Sequence, residues 1–101
     1  MIEVNGKTYE LKYNIRTIEQ IEAVTKESLV ASVRKTEGFL SIQELKIYFG
    51  FALFNDSGNR VSPQQGMDVA ESLIKTEGYM KVNQMVMGAI EKDCPFLFQV
   101  D

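Results

Sequence analysis

Asn5 and Gly6 stand between two alternating runs, Ile2 to Val4 and Lys7 to Tyr13. Few residue pairs accept positive φ at both central positions of a two-residue loop, so this one predicts a type I′ turn and a β-hairpin over about residues 2–13. With Val4 opposite Lys7 and Ile2 opposite Tyr9, alternation puts Ile2, Val4, Tyr9, Leu11 and Tyr13 on one face. Glu3, Thr8, Glu10 and Lys12 fall on the other. A lone hairpin is marginal in water, so helices from the rest of the chain, or strands from another subunit, must cover the apolar face.

Everything after Tyr13 reads as helix. Asn14 caps a first helix over 15–25, in which Ile15, Ile18, Ile21 and Val24 recur at helical spacing. Ser28 starts a short second helix over 28–37 carrying Leu29, Val30 and Val33, and Gly38 is placed to end it in a left-handed conformation. Ser41 with Glu44 forms a capping box for a third helix over 42–54. A polar cluster, Asn55 to Asn59, makes the next turn. Ser62 as N-cap and Pro63 at the first helical position then announce a fourth helix over 63–77, ended by Gly78. A fifth helix covers 79–93, before Pro95 forbids continuation. The expected fold is α+β, mainly α, as a single domain over residues 1–101.

Composition excludes several function classes. The chain has no His, so it cannot build a Ser-His-Asp or Cys-His nucleophile, and it lacks the commonest transition-metal ligand. Its single cysteine, Cys94, can form neither an internal disulfide nor a multi-cysteine zinc site, and it suits a reducing compartment. Fourteen acidic against 11 basic residues leave a net charge of −3, which opposes the electrostatic attraction that dominates nucleic-acid binding. No basic segment followed by an apolar run opens the chain, and no stretch approaches the roughly 20 apolar residues of a spanning helix. An unexported protein without membrane contact is expected.

Candidate chemical sites dissolve on inspection. The loop from Asn55 to Arg60 has the polar composition of a calcium loop, but its fifth position is Asn59 and the twelfth from Asn55 is Gly66 rather than a bidentate Glu. The glycines are dispersed and none opens a phosphate-binding turn. The carboxylates lie on polar faces, with no pair singled out. Neither an enzyme nor any metal or cofactor is expected. Lys35 to Leu40 is echoed by Lys75 to Met80, and Ser32 by Ser72. This reads either as a duplicated helix pair or as two helices that independently end in a charged turn plus Gly. The helix, Gly78, helix arrangement also permits a helix-turn-helix reading with Lys81, Asn83 and Gln84 leading the second helix, which makes a small DNA-binding or regulatory phage protein the alternative.

Apolar excess on two helices stands out. The third runs through Ile42, Leu45, Ile47, Tyr48, Phe49, Phe51, Ala52, Leu53 and Phe54, with no charge between Lys46 and Asp56. The fifth carries Tyr79, Met80, Val82, Met85, Val86, Met87, Ala89 and Ile90. Such helices want cover on most sides, from a central core or from a partner, and methionines suit adaptable surfaces.

Three segments carry a family resemblance: NGKTYELKYN in the hairpin, NDSGNRVSPQQGMDVAE leading into the fourth helix, and the terminal EKDCPFLFQ. The chain resembles, over nearly its whole length, the tail assembly chaperones of long-tailed phages infecting Gram-positive bacteria. The resemblance implies a small non-enzymatic protein, made in the cytoplasm of the host, that binds the long helical tape measure protein, keeps it soluble and helps gather tail-tube subunits. It also implies a homo-oligomer and a longer frameshifted form, with the chain ending at Asp101 corresponding to the short form. The residues expected to meet a client or a second copy are Phe51, Phe54, Met80, Met87, Phe96 and Phe98.

Overall fold

Ile2–Val4 (β1) and Lys7–Leu11 (β2) pair antiparallel with Ile2 opposite Tyr9, Glu3 opposite Thr8 and Val4 opposite Lys7, the register that the alternation requires. The structure, a computed structural model, describes residues 1–98; Gln99 of the terminal motif and the chain end at Asp101 lie outside them. Asn5 and Gly6 have φ of 52° and 78°, as a type I′ turn demands. Val4, Leu11 and Tyr13 are buried, and Glu3, Glu10 and Lys12 are exposed. Replacing Gly6 by Val puts a β-branched side chain in the left-handed region, at about 1 kcal/mol or more. The melting temperature should fall by about 4 to 8 °C for each kcal/mol lost. An unchanged thermal melt would show that the hairpin adds little to stability.

The helices begin and end on local signals. Asn14 Oδ1 accepts from the Thr17 amide at 2.9 Å and opens α1, Ile15–Thr25. Ser28 caps α2, Leu29–Thr36, which is one residue shorter at each end than expected because Ser28 and Glu37 are its caps. Glu37 and Gly38 both take positive φ there, and the Gly38 amide returns to the Val33 carbonyl at 2.8 Å. The Ser41–Glu44 capping box opens α3, Ile42–Phe51. Ser62 and Pro63 open α4, Pro63–Glu77, and Gly78 separates it from α5, Tyr79–Asp93. A single 3-10 turn, Pro95–Leu97, follows.

The expected third helix over 42–54 overruns. The chain leaves the helix after Phe51, and Leu53–Asn55 form a strand, β3, on the free side of β2, with Leu11 opposite Leu53 and Tyr9 opposite Asn55. A run that is apolar on every side has no period, so it does not separate a helix end from a buried strand. Arg60 stabilises this exit by donating from Nη2 to the Phe51 carbonyl at 2.7 Å, in the last turn of α3. The sheet order is β1-β2-β3. Beyond β3 the chain turns back: the Asn55 amide donates to the Asn59 carbonyl at 2.8 Å, and the Val61 amide to the Leu53 carbonyl at 2.9 Å. That edge is thereby closed, whereas β1 has no neighbour on its outer side among the described residues.

α3 is the centre of the core. Leu45, Tyr48 and Phe49 are fully buried, packed with Ile18 and Ile21 of α1, Ala70 and Leu73 of α4, and Val82, Val86 and Ile90 of α5. Its closest neighbour is α4, and two glycines set the separation. A Cβ on Gly66 would lie 2.5 Å from the Gly50 carbonyl oxygen and 2.7 Å from the Gly50 Cα, so the backbones touch where the two helices cross. The apolar face of the sheet joins this core, with Val69 of α4 and Met85 and Ala89 of α5 packed at its margin. Helices of the same chain therefore supply the cover that the hairpin needs.

α1 buries only part of its expected stripe. Ile18 and Ile21 are buried, but Ile15 and Val24 are half exposed. A constant spacing of three drifts about 60° per step around a helix of 3.6 residues per turn, which brings Ile15 and Val24 to opposite sides. The repeated segments also part company. Thr36 Oγ1 donates to the Ser32 carbonyl and Thr76 Oγ1 to the Ser72 carbonyl, but Glu37 caps α2 at a φ of 57° while its counterpart Glu77 is still the last residue of α4. After the glycine, however, one copy continues through Phe39, Leu40 and Ser41 before α3, while the other enters α5 at once.

Candidate functional site

The six residues expected at a contact surface do not form one patch. Phe51 and Met87 are half-buried against the core. Phe54 is half-buried on the sheet, with Lys12 Nζ 5.3 Å from its ring centroid, an arrangement that covers its face with a cation. Met80 is exposed in the first turn of α5, and Phe96 and Phe98 are exposed beyond its end. Met1, Ile15, Val24, Val30, Phe39 and Ile42 are exposed as well, outside the expected set, because apolar spacing alone does not tell a covered helix position from an uncovered one.

The segment bearing Phe39 is held rigidly. Asn83 is buried on α5, where its Nδ2 donates to the Gly38 carbonyl at 2.7 Å and its Oδ1 accepts from the Leu40 amide at 3.3 Å. The Tyr79 hydroxyl donates to the Leu40 carbonyl beside it. Asn83 is thereby committed to structure, and Lys81 is paired with Glu77 at 2.7 Å. These contacts fix residues 38–40 against the first turns of α5, so Phe39, Ile42 and Met80 come from adjoining segments at one end of that helix.

At its other end, Ile15 and Phe96 line a shallow groove with Asn14, Arg16 and Asp93. The Tyr13 amide donates to Asp93 Oδ2 at 2.9 Å and ties the start of α1 to the end of α5. Leu97 packs against the core between exposed Phe96 and Phe98. Cys94 is fully buried, and burial, with a smaller contribution from Asp93, pushes its thiol above the ordinary value. A thiol so placed is a poor nucleophile.

A polar cluster links α2 to α3. The Ser32 hydroxyl contacts Glu27 Oε1 at 2.8 Å and also meets Glu44, and Lys35 pairs with Glu27 at 3.1 Å. The Ser32 hydroxyl and Lys35 hold the Glu27 carboxyl below its usual range. Tyr48 faces this cluster from the core, its hydroxyl fully buried and without a hydrogen-bond partner among the described residues. Among those residues no three Asp, Glu or Cys side chains are placed to hold a metal ion. No described helix is long and apolar enough to cross a membrane.

What this arrangement offers is rigid display of apolar side chains. Comparison with protein families, curated proteins and solved structures yields no match for this chain.

Proposed function

We propose that the chain is a non-enzymatic tail assembly chaperone that binds the tape measure protein of a long-tailed phage in the host cytoplasm, keeps it soluble and helps gather tail-tube subunits around it. The observation that carries this reading is the exposure of Ile15, Ile42, Met80, Phe96 and Phe98 at the ends of helices and of Phe39 in the loop between α2 and α3. Large apolar groups held in water on a rigid frame serve a client with apolar stripes of its own, in the helix-in-groove mode. Met80 adds adaptability, since an unbranched thioether packs against varied sequences. A tape measure protein presents many such segments, so several copies bound along it would gain avidity. A longer frameshifted form of the chain belongs to the same proposal.

Co-expression with the tape measure protein of the same phage tests it. The client should move from the insoluble to the soluble fraction and be retained with the chaperone in a pull-down. A client that stays insoluble and unbound overturns the reading. The C-terminal apolar segment refines the test. Because Phe96 and Phe98 are exposed, a chain ending at Cys94 should keep its helical circular dichroism and most of its thermal stability while losing client retention. Loss of the fold would instead show that the core depends on this segment, through Leu97, where a large apolar side chain is worth about 2 to 5 kcal/mol.

A further inference from the structure

We propose that Glu27, Ser32, Glu44 and Tyr48 form a site for a divalent cation, calcium by preference, that fastens α2 to α3. α2 buries only Leu29 and Ser32, so little apolar surface holds it down. Three carboxylates gather beside it instead. Glu22 Oε2 accepts from the Leu29 amide at 2.8 Å, Glu27 Oε1 lies 2.8 Å from the Ser32 hydroxyl, and Glu44 meets the same hydroxyl from α3. All three glutamates are half-buried, and Ser32 is 1% exposed.

Two observations point to a cation among them. The Ser32 hydroxyl has one hydrogen and faces two carboxylate oxygens, so it can donate to only one. The Tyr48 hydroxyl, on a fully buried side chain, faces the same cluster from the core and has no hydrogen-bond partner among the described residues. Buried hydroxyls are paired as a rule. The neighbouring basic side chains do not fill this role. Lys35 reaches Glu27 through Oε2 at 3.1 Å, not through the oxygen beside Ser32, and its side chain is 67% exposed. Lys46 is turned to Glu71, and Lys26 and Arg34 make no ion pair with the cluster among the described residues.

The donors choose the ion. All four are oxygens, which suits a hard cation. Glu22, Glu27 and Glu44 carry three negative charges and Lys35 one positive, so a divalent ion brings the cluster to neutrality. Adjacent ligands in a seven-coordinate calcium shell with bonds of about 2.4 Å stand about 2.8 Å apart, which is the spacing of Ser32 Oγ and Glu27 Oε1. Magnesium demands a nearly ideal octahedron, which donors drawn from a loop and two helices are less suited to give. Only Glu27 and Glu44 supply charged ligands, since Glu22 is held by the Leu29 amide. The dissociation constant should therefore be on the order of 10⁻⁴ to 10⁻³ M. Local spacing in the sequence does not reveal the site, because its donors are brought together only by the packing of α2 on α3.

Calcium chloride titrated into the whole chain tests it, followed by differential scanning calorimetry and hydrogen exchange. At about tenfold above the dissociation constant the melting temperature should rise by about 5 to 10 °C, and exchange of the α2 amides should slow. Terbium, which occupies calcium sites and is excited through a neighbouring tyrosine, should luminesce with the protein and be displaced by calcium. Tyr48→Phe should lose most of that emission. Glu27→Gln and Glu44→Gln should each weaken calcium binding about tenfold, and glutamine at position 44 still completes the capping box, so that variant should fold. A melting temperature that calcium up to about 10 mM leaves unmoved overturns the proposal. So does an equal rise in both glutamine variants, or terbium emission that survives Tyr48→Phe. A stabilisation that comes with acid and not with calcium also overturns it, by placing a proton between the carboxylates. None of these outcomes bears on the tape measure reading, which keeps its own test.

Discussion

Replacing Gly66 by Ala should lower the melting temperature by about 10 to 20 °C. The added methyl would lie 2.5 Å from the Gly50 carbonyl oxygen and 2.7 Å from its Cα, and both neighbours are backbone that no rotamer change can move. α3 and α4 must then separate along their whole contact, which lies at the centre of the core. Overpacking typically costs 1 to 3 kcal/mol and more where backbone is involved, and the better helix propensity of Ala returns about 1 kcal/mol of that. A net loss of about 2 to 3 kcal/mol is a large part of the stability of a small domain. Gly88→Ala is the control. That position is exposed within α5, with nothing within 4 Å of the added methyl, so the same substitution should raise the melting temperature by a few degrees. Differential scanning calorimetry of the two variants separates steric conflict from propensity. Equal stability of Gly66→Ala and the parent would mean that the helices are not in backbone contact.

Alkaline pH should unfold the protein through the ionisation of two buried tyrosines, while its arginines are still charged. Burial pushes the Tyr48 hydroxyl up to about 12, with the Glu44, Glu22 and Glu27 carboxylates adding to the rise. Tyr13 is also raised well above 10, first by burial and then by Tyr48, Asp93 and Cys94. In the unfolded chain both ionise near pH 10. Above that pH the unfolded state has lost protons that the folded state still holds, so stability falls as pH rises, through a window from about 10 to 12. Tyr48 alone accounts for about 3 kcal/mol over those two units, and Tyr13 adds to it. Circular dichroism and tyrosinate absorbance should therefore change together in that window. Tyr48→Phe should move the transition to higher pH and cost little at neutrality, because its buried hydroxyl has no partner. Tyr13→Phe also removes an alkaline liability, but it forfeits a buried 2.8 Å bond to the Tyr48 carbonyl, so it should destabilise by about 1 kcal/mol at neutral pH. An alkaline transition that neither variant shifts would refute the assignment.

Legibility follows the range of the interaction. The hairpin register was readable because Asn5, Gly6 and the alternation around them act within a few residues. The bounds of α1, α4 and α5 were readable because Asn14, Ser62, Pro63, Gly78 and Pro95 mark them locally. β3 was not, since Leu53 and Phe54 continue an apolar run, and only pairing with the distant β2 makes them a strand. The contact of Gly50 with Gly66 was invisible for the same reason: two glycines in separate helices show nothing until the helices cross. The candidate surface suffered most. Apolar content marks α3 and α5 as wanting cover, but which residues receive it depends on neighbours far along the chain. Phe51 and Met87 are therefore half-buried while Phe39 and Ile15 lie in water.

The return of the chain at residues 59–61 gives the sheet a polarity of growth. With the outer side of β3 occupied by Asn59 and Val61, an added strand can enter only beside β1. Two copies that paired through their open edges would leave neither edge free, so cross-β stacking from the native state stops at two. On the chaperone reading proposed above, such a dead end keeps the folded protein from adding strand after strand to itself beside its client.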